Sequence, residues 1–375
     1  MPLSVRLSAF YFAHFAHGGI FIAYFPLYLA WRGLGAVEIA WVLALPQLAR
    51  IVAPAAWGWL ADRTGAQRAI VVFGCAAAVA GFAVLPFASG LAAIAWLVAA
   101  TSLLSAGALP LVEAMTLASL AGQPGRYGPI RLWGSIGFIA TVLAGGVWLD
   151  LQPVRSLPVA LALLAAVTLG VAFSLPQARA HATEEPRSPL RWTRPMLAVL
   201  GAGFCMAAAH GTMYAFLTLH LQGAGYSGTT IGVLWTLGVL AEIVVFLYLP
   251  ALFRRYALSA ILAASFLCAA LRFIALGWFA EMLGVVVLAQ LLHAASFGAF
   301  HAASVAAVHR VFPEGAQARG QALFSGVTYG AGGASGALAA GWAWAALGPG
   351  WAFSLSALVA AAGLLLAHAL KRAGL

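Results

Sequence analysis

Apolar residues run through this chain in long stretches, which short segments rich in polar residues, glycine or proline interrupt. About 20 apolar residues in helical form are enough to cross the hydrocarbon core of a bilayer. The pattern predicts twelve such helices, six on each side of a polar segment at residues 176–194. We place them near residues 6–30, 37–60, 68–89, 91–119, 130–149 and 157–175, and then near 196–221, 228–250, 257–277, 281–309, 319–346 and 350–370.

Composition agrees with this pattern, because 64% of the residues are hydrophobic and only 7% are charged. Soluble proteins carry roughly a quarter charged residues. A His-Gly pair at residues 17 and 18 recurs at residues 210 and 211, as expected of a six-helix unit used twice. The sequence therefore predicts an all-α membrane protein with two six-helix halves, residues 1–175 and 195–375, joined by a linker at residues 176–194.

The net charge of +10 would suggest a nucleic-acid partner in a soluble protein, but here the positions of the basic residues decide. Fourteen of the 19 fall on one side of the twelve-helix arrangement, and only Arg32 and Arg155 fall on the other. Basic loops stay in the cytoplasm. We therefore expect a multi-pass protein of the bacterial inner (plasma) membrane with both termini and the linker in the cytoplasm, embedded in lipid and without a nucleic-acid partner.

Charged side chains inside the predicted helices mark a candidate site, because a charge in hydrocarbon is costly unless it is paired or faces water. Five are present: Arg50, Glu113, Arg131, Glu242 and Arg272. With histidines neutral they leave one positive charge in excess, which a bound monoanion would balance. This favours a small carboxylic acid over a neutral sugar as substrate. The argument fails if Arg50 extends to the cytoplasmic edge or pairs with Asp62.

Two further sets of residues complete the candidate site. Side chains within the spans that can change protonation form one set, and they are Glu242, Glu113, His293 and His301. Aromatic side chains within spans more often pack against helices or lipid, but some can line a binding pocket. The predicted substrate-binding residues are Glu113, Arg131, Trp133, Arg272 and Tyr24.

A polar loop between the second and third predicted helices runs from Gly58 to Arg68 and contains Asp62, Arg63 and Gly65. A carboxylate there can accept hydrogen bonds from a helix start and from neighbouring arginines, while Gly58 would permit a close helix contact. Such a cluster, broken and remade, would latch the cytoplasmic face. We predict these five residues as a gating loop.

This loop resembles the signature loop of the major facilitator superfamily, and the twelve-helix layout resembles that superfamily over the whole chain. Two further segments resemble its phenylpropionate permease branch, a relative of lactose:proton symporters. They are Leu45-Pro46-Gln47-Leu48-Ala49-Arg50 with Trp57-Gly58, and Tyr127-Gly128-Pro129-Ile130-Arg131-Leu132-Trp133-Gly134-Ser135. The resemblance implies the major facilitator fold and proton-coupled uptake of a small organic substrate, with 3-phenylpropionate as the expected example.

The resemblance also extends to the placement of charges, which is similar to that in the lactose permease. There, an acid on span 4 and an arginine on span 5 contact substrate, the places that Glu113 and Arg131 occupy here. An acid on span 8, an arginine on span 9 and a histidine on span 10 serve binding and coupling, and Glu242, Arg272 and either His293 or His301 match those places. No acid follows those histidines within the span, so the proton carrier stays open.

Alternative functions remain at this stage. A proton symporter of a sugar or a nucleoside fits the same layout. A remote alternative is an intramembrane serine protease, suggested by Gly333-Ala334-Ser335-Gly336, but this tetrapeptide lies within a glycine-rich helix for which packing is the simpler role. We expect no enzymatic activity, no cofactor, no metal and a monomeric protein, with a small molecule and a proton as partners.

Overall fold

A computed structural model describes residues 2–120, 124–177 and 192–375, and in this part of the chain it contains helices and no strands. The helices before the linker are α1 (Leu3–Trp31), α2 (Ala36–Thr64), α3 (Gln67–Val84), α4 (Gly90–Ser105), α5 (Ala108–Ser119), α6 (Tyr127–Leu151) and α7 (Leu157–Ala172). Those after it are α8 (Arg194–Ala209), α9 (Gly211–Gly223), α10 (Gly228–Arg255), α11 (Leu258–Trp278), α12 (Leu283–Leu291), α13 (Phe300–Val311), α14 (Gln317–Ser325), α15 (Gly333–Leu347) and α16 (Pro349–Arg372).

Short 3₁₀ and π segments join some of these helices. The 3₁₀ turns are Leu85–Phe87, Pro124–Arg126 and Val154–Ser156, and the π segments are Ala294–Ala299 and Gly326–Gly332. Several predicted spans are therefore composite, since α12 and α13 flank the first π segment and α14 and α15 flank the second.

The predicted all-helical membrane architecture is confirmed. Among the described residues, eleven helical segments are long and apolar enough to cross a bilayer. The segment built from α14 and α15 is not one of them, and its many glycines make it less apolar than the others. The count of twelve stays a prediction. Most of the predicted linker, residues 178–191, lies outside the described residues.

The helices group into two contact units. Unit 1 comprises the described residues of Met1–Leu34, Val52–Thr183 and Ser227–Val233, and unit 2 comprises those of Gly35–Ile51, Glu184–Tyr226 and Leu234–Leu375. The first half of α2 thus belongs to unit 2, and the first turns of α10 belong to unit 1. The two six-helix halves stay a prediction, because contact units follow packing rather than chain order.

Small residues bring the backbones of α1 and α6 together in unit 1. A Cβ atom added at Gly137 would collide with the backbone carbonyl of Phe12, so only glycine fits this contact. Thr141 Oγ1 donates to the carbonyl of Ala16 at 2.8 Å. Helix α6, which carries Arg131, is therefore held against α1 by direct backbone approach.

Glycines act in the same way in unit 2, where α15 packs against α8 and α9. A Cβ atom at Gly336 would collide with the backbone of Ala208, and one at Gly211 would collide with the backbone of Gly336. The glycine-rich helix therefore has the packing role that its sequence predicts.

Candidate functional site

Glu113 of α5 and Arg131 of α6 meet in unit 1. Arg131 Nε lies 3.9 Å from Glu113 Oε1, and about a third of each side chain is exposed (32% and 37%). The guanidinium carbon also lies over the ring of Phe15, 4.1 Å from its centroid, and 5.5 Å from the ring centroid of Tyr11. The pair is therefore loose and accessible, with an aromatic surface against one face of the cation.

The neighbours of Arg131 on α6 shape this surface. A Cβ atom at Gly134 would lie 2.7 Å from Arg131 Nη1 and 2.9 Å from Phe15 Cδ2, so glycine leaves the space that the guanidinium occupies. Trp133 is 47% exposed, and its ring meets that of Phe12 edge to face at 6.5 Å. Helix α6 thus carries an exposed indole two residues from an accessible guanidinium.

Tyr24, the remaining predicted binding residue of unit 1, has a different environment. Its side chain is fully buried, and its hydroxyl donates to the carbonyl of Val142 at 2.6 Å. The ring also fills the space left by Gly145. In this conformation Tyr24 joins α1 to α6 rather than lining an accessible surface.

Arg272 of α11 is the centre of the second charge cluster, in unit 2. It is 1% exposed, and its Nη2 donates to Gln290 Oε1 at 2.8 Å. Its Nη1 lies 2.9 Å from His293 Nδ1. Gln290 Nε2 in turn donates to the carbonyl of Leu234 at 2.9 Å. These contacts hold the buried guanidinium in one orientation.

His293 connects Arg272 to Glu242. A guanidinium only donates hydrogen bonds, so His293 Nδ1 must accept, and a neutral imidazole then carries its proton on Nε2. His293 Nε2 lies 3.7 Å from Glu242 Oε2. The ring therefore presents an N–H group to Glu242, which stabilises the carboxylate and leaves its oxygens as the atoms of this cluster that can take up a proton.

The sequence identified Glu242, Arg272 and His293 but missed Gln290. One signal was available, because Gln290 precedes His293 by three residues and both therefore lie on one face of a helix. A polar amide in an apolar span, one turn from a candidate histidine, indicates a hydrogen-bond partner.

The two π segments adjoin this cluster. The first, Ala294–Ala299, begins directly after His293, and a Cβ atom at its Gly298 would lie 2.8 Å from Glu242 Cγ. The second, Gly326–Gly332, contains Tyr329, whose hydroxyl lies 2.7 Å from His301 Nδ1. π segments within helices often occur at functional sites. His293 thus directly precedes one π segment, and His301 is bonded to a residue of the other.

Arg50, the third arginine, lies at the middle of α2 in the part that belongs to unit 2. The residue is exposed, and its Nη1 donates to Gln47 Oε1 at 3.1 Å. Tyr214 and Tyr329 are titratable groups near enough to influence its charge. Asp62 lies twelve residues further along the same helix, about 18 Å away along the axis, so the two do not pair.

The predicted gating loop follows α2. Gly65 has φ of +66°, a conformation that favours glycine, and its N–H donates to the carbonyl of Ala61 at 2.8 Å to end the helix. Arg68 donates to the carbonyl of Phe173, at the end of α7. Basic side chains suit such a helix end, which carries partial negative charge.

Other residues of the loop make fewer contacts. Asp62 and Arg63 are exposed, and the Arg63 guanidinium lies over the ring of Trp59 at 5.5 Å. The close helix contact expected at Gly58 is absent here, since a Cβ atom there would meet no atom of the described chain within 4 Å. The latch stays a prediction.

Ser335, the basis of the protease alternative, lies on the exposed face of α15. Its neighbour Gly336 contacts the backbone of Ala208, as described above. The glycines of this tetrapeptide thus serve helix packing.

An all-helical chain with membrane-length apolar segments and charged clusters held inside them defines a membrane transporter. The MFS_1 like family matches residues 4–355, and the chain belongs to this family of the major facilitator superfamily. It is therefore a secondary transporter of that superfamily, and its relatives are transporters rather than enzymes.

Relatives of known name support the branch that the sequence motifs indicated. The chain is 28% identical, over 86% of its length and 86% of the relative, to the probable 3-phenylpropionic acid transporter of Escherichia coli (strain K12). It is 27% identical to the maltose permease of Geobacillus stearothermophilus, over 86% of this chain and 83% of the relative. The resemblance to the phenylpropionate permease branch is confirmed.

A solved structure shares the fold. The crystal structure of the nucleoside transporter NupG matches with a TM-score of 0.82, at 17% identity and over 99% of both chains. At this identity the match shows the arrangement of helices and nothing about the substrate.

Proposed function

We propose that this transporter takes up an aromatic monocarboxylate, such as 3-phenylpropionate, together with a proton. It would act in the bacterial inner membrane as a monomer with both termini in the cytoplasm. The observation that carries the proposal is the distribution of charge. Arg131 has Glu113 beside it, and Arg272 is joined to Glu242 through His293. Arg50 interacts with an amide and two phenols, which carry no compensating charge, so a monoanion would balance it.

The predicted substrate-binding residues fall into an accessible group and a buried group. Arg131, Glu113 and Trp133 are accessible, and together they offer a cation, an acceptor and an aromatic surface. An aromatic acid fits that combination, because its ring can stack and its polar group can hydrogen-bond. Arg272 and Tyr24 are buried with polar atoms already bonded, which favours a positioning role for both.

Proton coupling is best supported at Glu242 and His293. The two groups face each other at 3.7 Å, and a shift of a few tenths of an ångström would bring them within hydrogen-bond distance. Arg272 acts here as a positioning residue, since its bond to Nδ1 directs the opposite ring nitrogen at Glu242. His301 is the second candidate, through its bond to Tyr329, and Glu113 is the third.

The alternative substrate is a sugar or a nucleoside. The similarity to the maltose permease favours a sugar. In that case Glu113 and Arg131 would bind hydroxyl groups of a neutral substrate, because together they carry no net charge.

Binding to the purified protein distinguishes these substrates. We would compare 3-phenylpropionate with maltose and uridine and follow proton uptake or release in weak buffer. Binding of the acid alone, with a proton change, supports the proposal, whereas binding of maltose or uridine alone overturns it. Coupling is tested separately in proteoliposomes, where a protonophore should abolish accumulation of the acid and leave exchange intact. Accumulation that survives the protonophore would contradict proton coupling.

A further inference from the structure

The position of Arg50 requires a compensating partner within the membrane. Helix α2 has 29 residues, and Arg50 is the fifteenth, so about 21 Å of helix separates it from either end. The helix is longer than the roughly 30 Å hydrocarbon core, so with the helix centred in the bilayer Arg50 lies about 15 Å from either polar edge, farther than an arginine side chain reaches. A guanidinium at this depth is costly unless it faces an aqueous cavity or binds an anion.

Two glycines of unit 2 pack closely against the turn of α2 that carries Arg50. A Cβ atom at Gly330 would lie 2.5 Å from Ile51 Cγ1 and 3.4 Å from the carbonyl oxygen of Gln47. One at Gly333 would lie 3.4 Å from Gln47 Cγ and Cδ. The π segment Gly326–Gly332 therefore lies directly against the turn that carries Arg50.

Polar groups collect on this side of α2. Gln47 Oε1 accepts one hydrogen bond from Arg50 and so fixes the direction of the guanidinium. Tyr329 belongs to that π segment, and its hydroxyl is bonded to His301. It can donate to an anion when His301 Nδ1 carries the proton of that bond, and four of the five guanidinium N–H groups remain after the bond to Gln47.

These groups match a carboxylate. A guanidinium binds a carboxylate through two parallel hydrogen bonds, which a neutral hydroxyl group does not offer. Arg131 already has a carboxylate at 3.9 Å, and Arg272 is buried with His293 and Gln290 as partners. Arg131 has Glu113 beside it and Arg272 reaches Glu242 through His293, whereas the hydrogen bond of Arg50 in the described chain goes to the uncharged amide of Gln47.

We propose that Arg50 binds the carboxylate group of the transported acid, with Gln47 orienting the guanidinium and Tyr329 as an additional donor. The assignment rests on the proposed function, since it takes the substrate to be a monocarboxylate. It identifies Arg50 as the residue that makes the protein selective for an acid over a neutral compound of the same shape.

The test measures binding to the purified, full-length protein for a matched pair, 3-phenylpropionate and its neutral amide 3-phenylpropanamide. The variants are Arg50→Gln, Arg50→Lys and the control Arg254→Gln, which removes an exposed arginine near the end of α10. Benzoate and butyrate serve as additional monocarboxylate probes. Size-exclusion profiles and thermal unfolding show whether each variant is folded.

Arg50→Gln should weaken binding of 3-phenylpropionate by about 30-fold or more, as loss of a charge-assisted contact implies, and change amide binding less than about twofold. Arg50→Lys should lose less, because it keeps the charge without the two parallel donors. The Arg254→Gln control should resemble the unmodified protein for both ligands.

Other outcomes separate the two proposals. Equal losses for acid and amide in folded Arg50→Gln, or an acid affinity like that of Arg254→Gln, would overturn the role of Arg50 while monocarboxylate transport stands. If 3-phenylpropionate does not bind but benzoate or butyrate does, in a manner that depends on Arg50, the anion site holds and the aromatic substrate is wrong. Failure of every monocarboxylate to bind the unmodified protein would overturn both.

Discussion

The two charge clusters differ in how their charged side chains are paired and buried. In unit 1, Glu113 and Arg131 face each other directly, and about a third of each side chain is exposed. In unit 2, Arg272 is almost fully buried, and His293 stands between it and Glu242. An accessible pair can exchange its partner for a ligand, whereas a buried chain of hydrogen bonds keeps its members in place.

The difference also separates their roles in transport. The 3.9 Å separation and the partial exposure weaken the attraction between Glu113 and Arg131, so little free energy opposes a substrate that inserts between them. Burial makes each bond of the Arg272 chain costly to lose, which leaves the Glu242 carboxylate as the group of this cluster that can take up a proton. We therefore propose substrate contact for the first cluster and proton uptake for the second.

The largest expected effect comes from removing the two arginines in turn. Arg272→Ala should lower the free energy of unfolding by about 3 kcal/mol or more, because Gln290 and His293 lose their buried donor. Arg131→Ala should lower it by less than about 1 kcal/mol, since its pair is partly solvated. Unfolding in mixed micelles measures both. Equal losses in the two variants would contradict the difference in burial between the clusters.

The second effect concerns coupling. A pH difference of about one unit is worth about 1.4 kcal/mol and supports about tenfold accumulation of a substrate carried with one proton. Glu242→Gln should abolish that accumulation in proteoliposomes and retain exchange of labelled for unlabelled substrate, because the amide takes up no proton.

Glu113→Gln is the matched control for this experiment, being the corresponding change in the accessible cluster. It should weaken substrate binding and keep accumulation coupled. If Glu113→Gln uncouples transport and Glu242→Gln does not, the assignment of roles is reversed.

A third, smaller effect tests the accessible cluster by a conservative change. Arg131→Lys should raise the dissociation constant for substrate about five- to tenfold, because lysine lacks the planar guanidinium that stacks on Phe15. The thermal stability should stay unchanged. Titration calorimetry compares this variant with Arg254→Lys, which alters an exposed arginine near the end of α10. An affinity equal to that control would remove Arg131 from the substrate site.

The sequence predicted what depends on local pattern. Long apolar stretches gave the helical membrane architecture, and the charges within them identified Glu113, Arg131, Glu242 and Arg272 before any contact was known. The glycine of the loop, Gly65, also follows from local rules, since it ends α2 with positive φ.

What the sequence could not predict depends on contacts between distant residues. The predicted span 281–309 is interrupted by a π segment, which lies where Gly298 meets Glu242, and nothing in the local pattern distinguishes this from continuous α-helix. His293 was one of two candidate histidines, and only its position between Arg272 and Glu242 selects it. The sequence was enough to count one positive charge in excess within the spans. Placing that charge at Arg50 required knowledge of the partners of Arg131 and Arg272.

The smallest expected effect comes from two glycines that make space for the charged groups. A Cβ atom at Gly134 would lie 2.7 Å from Arg131 Nη1, and one at Gly298 would lie 2.8 Å from Glu242 Cγ. Gly134→Ala should displace the end of a flexible side chain and raise the dissociation constant for substrate about two- to threefold. Its cost in stability should be about 1 kcal/mol.

Gly298→Ala should act on coupling instead, because the displaced atom belongs to the side chain whose carboxylate faces His293. We expect accumulation driven by a pH difference to fall about two- to threefold, with substrate affinity nearly unchanged. Gly170→Ala is the control, since a Cβ atom there would meet no atom of the described chain within 4 Å. If Gly298→Ala lowers affinity and leaves accumulation intact, the buried cluster contacts substrate and the division of roles between the two clusters is wrong.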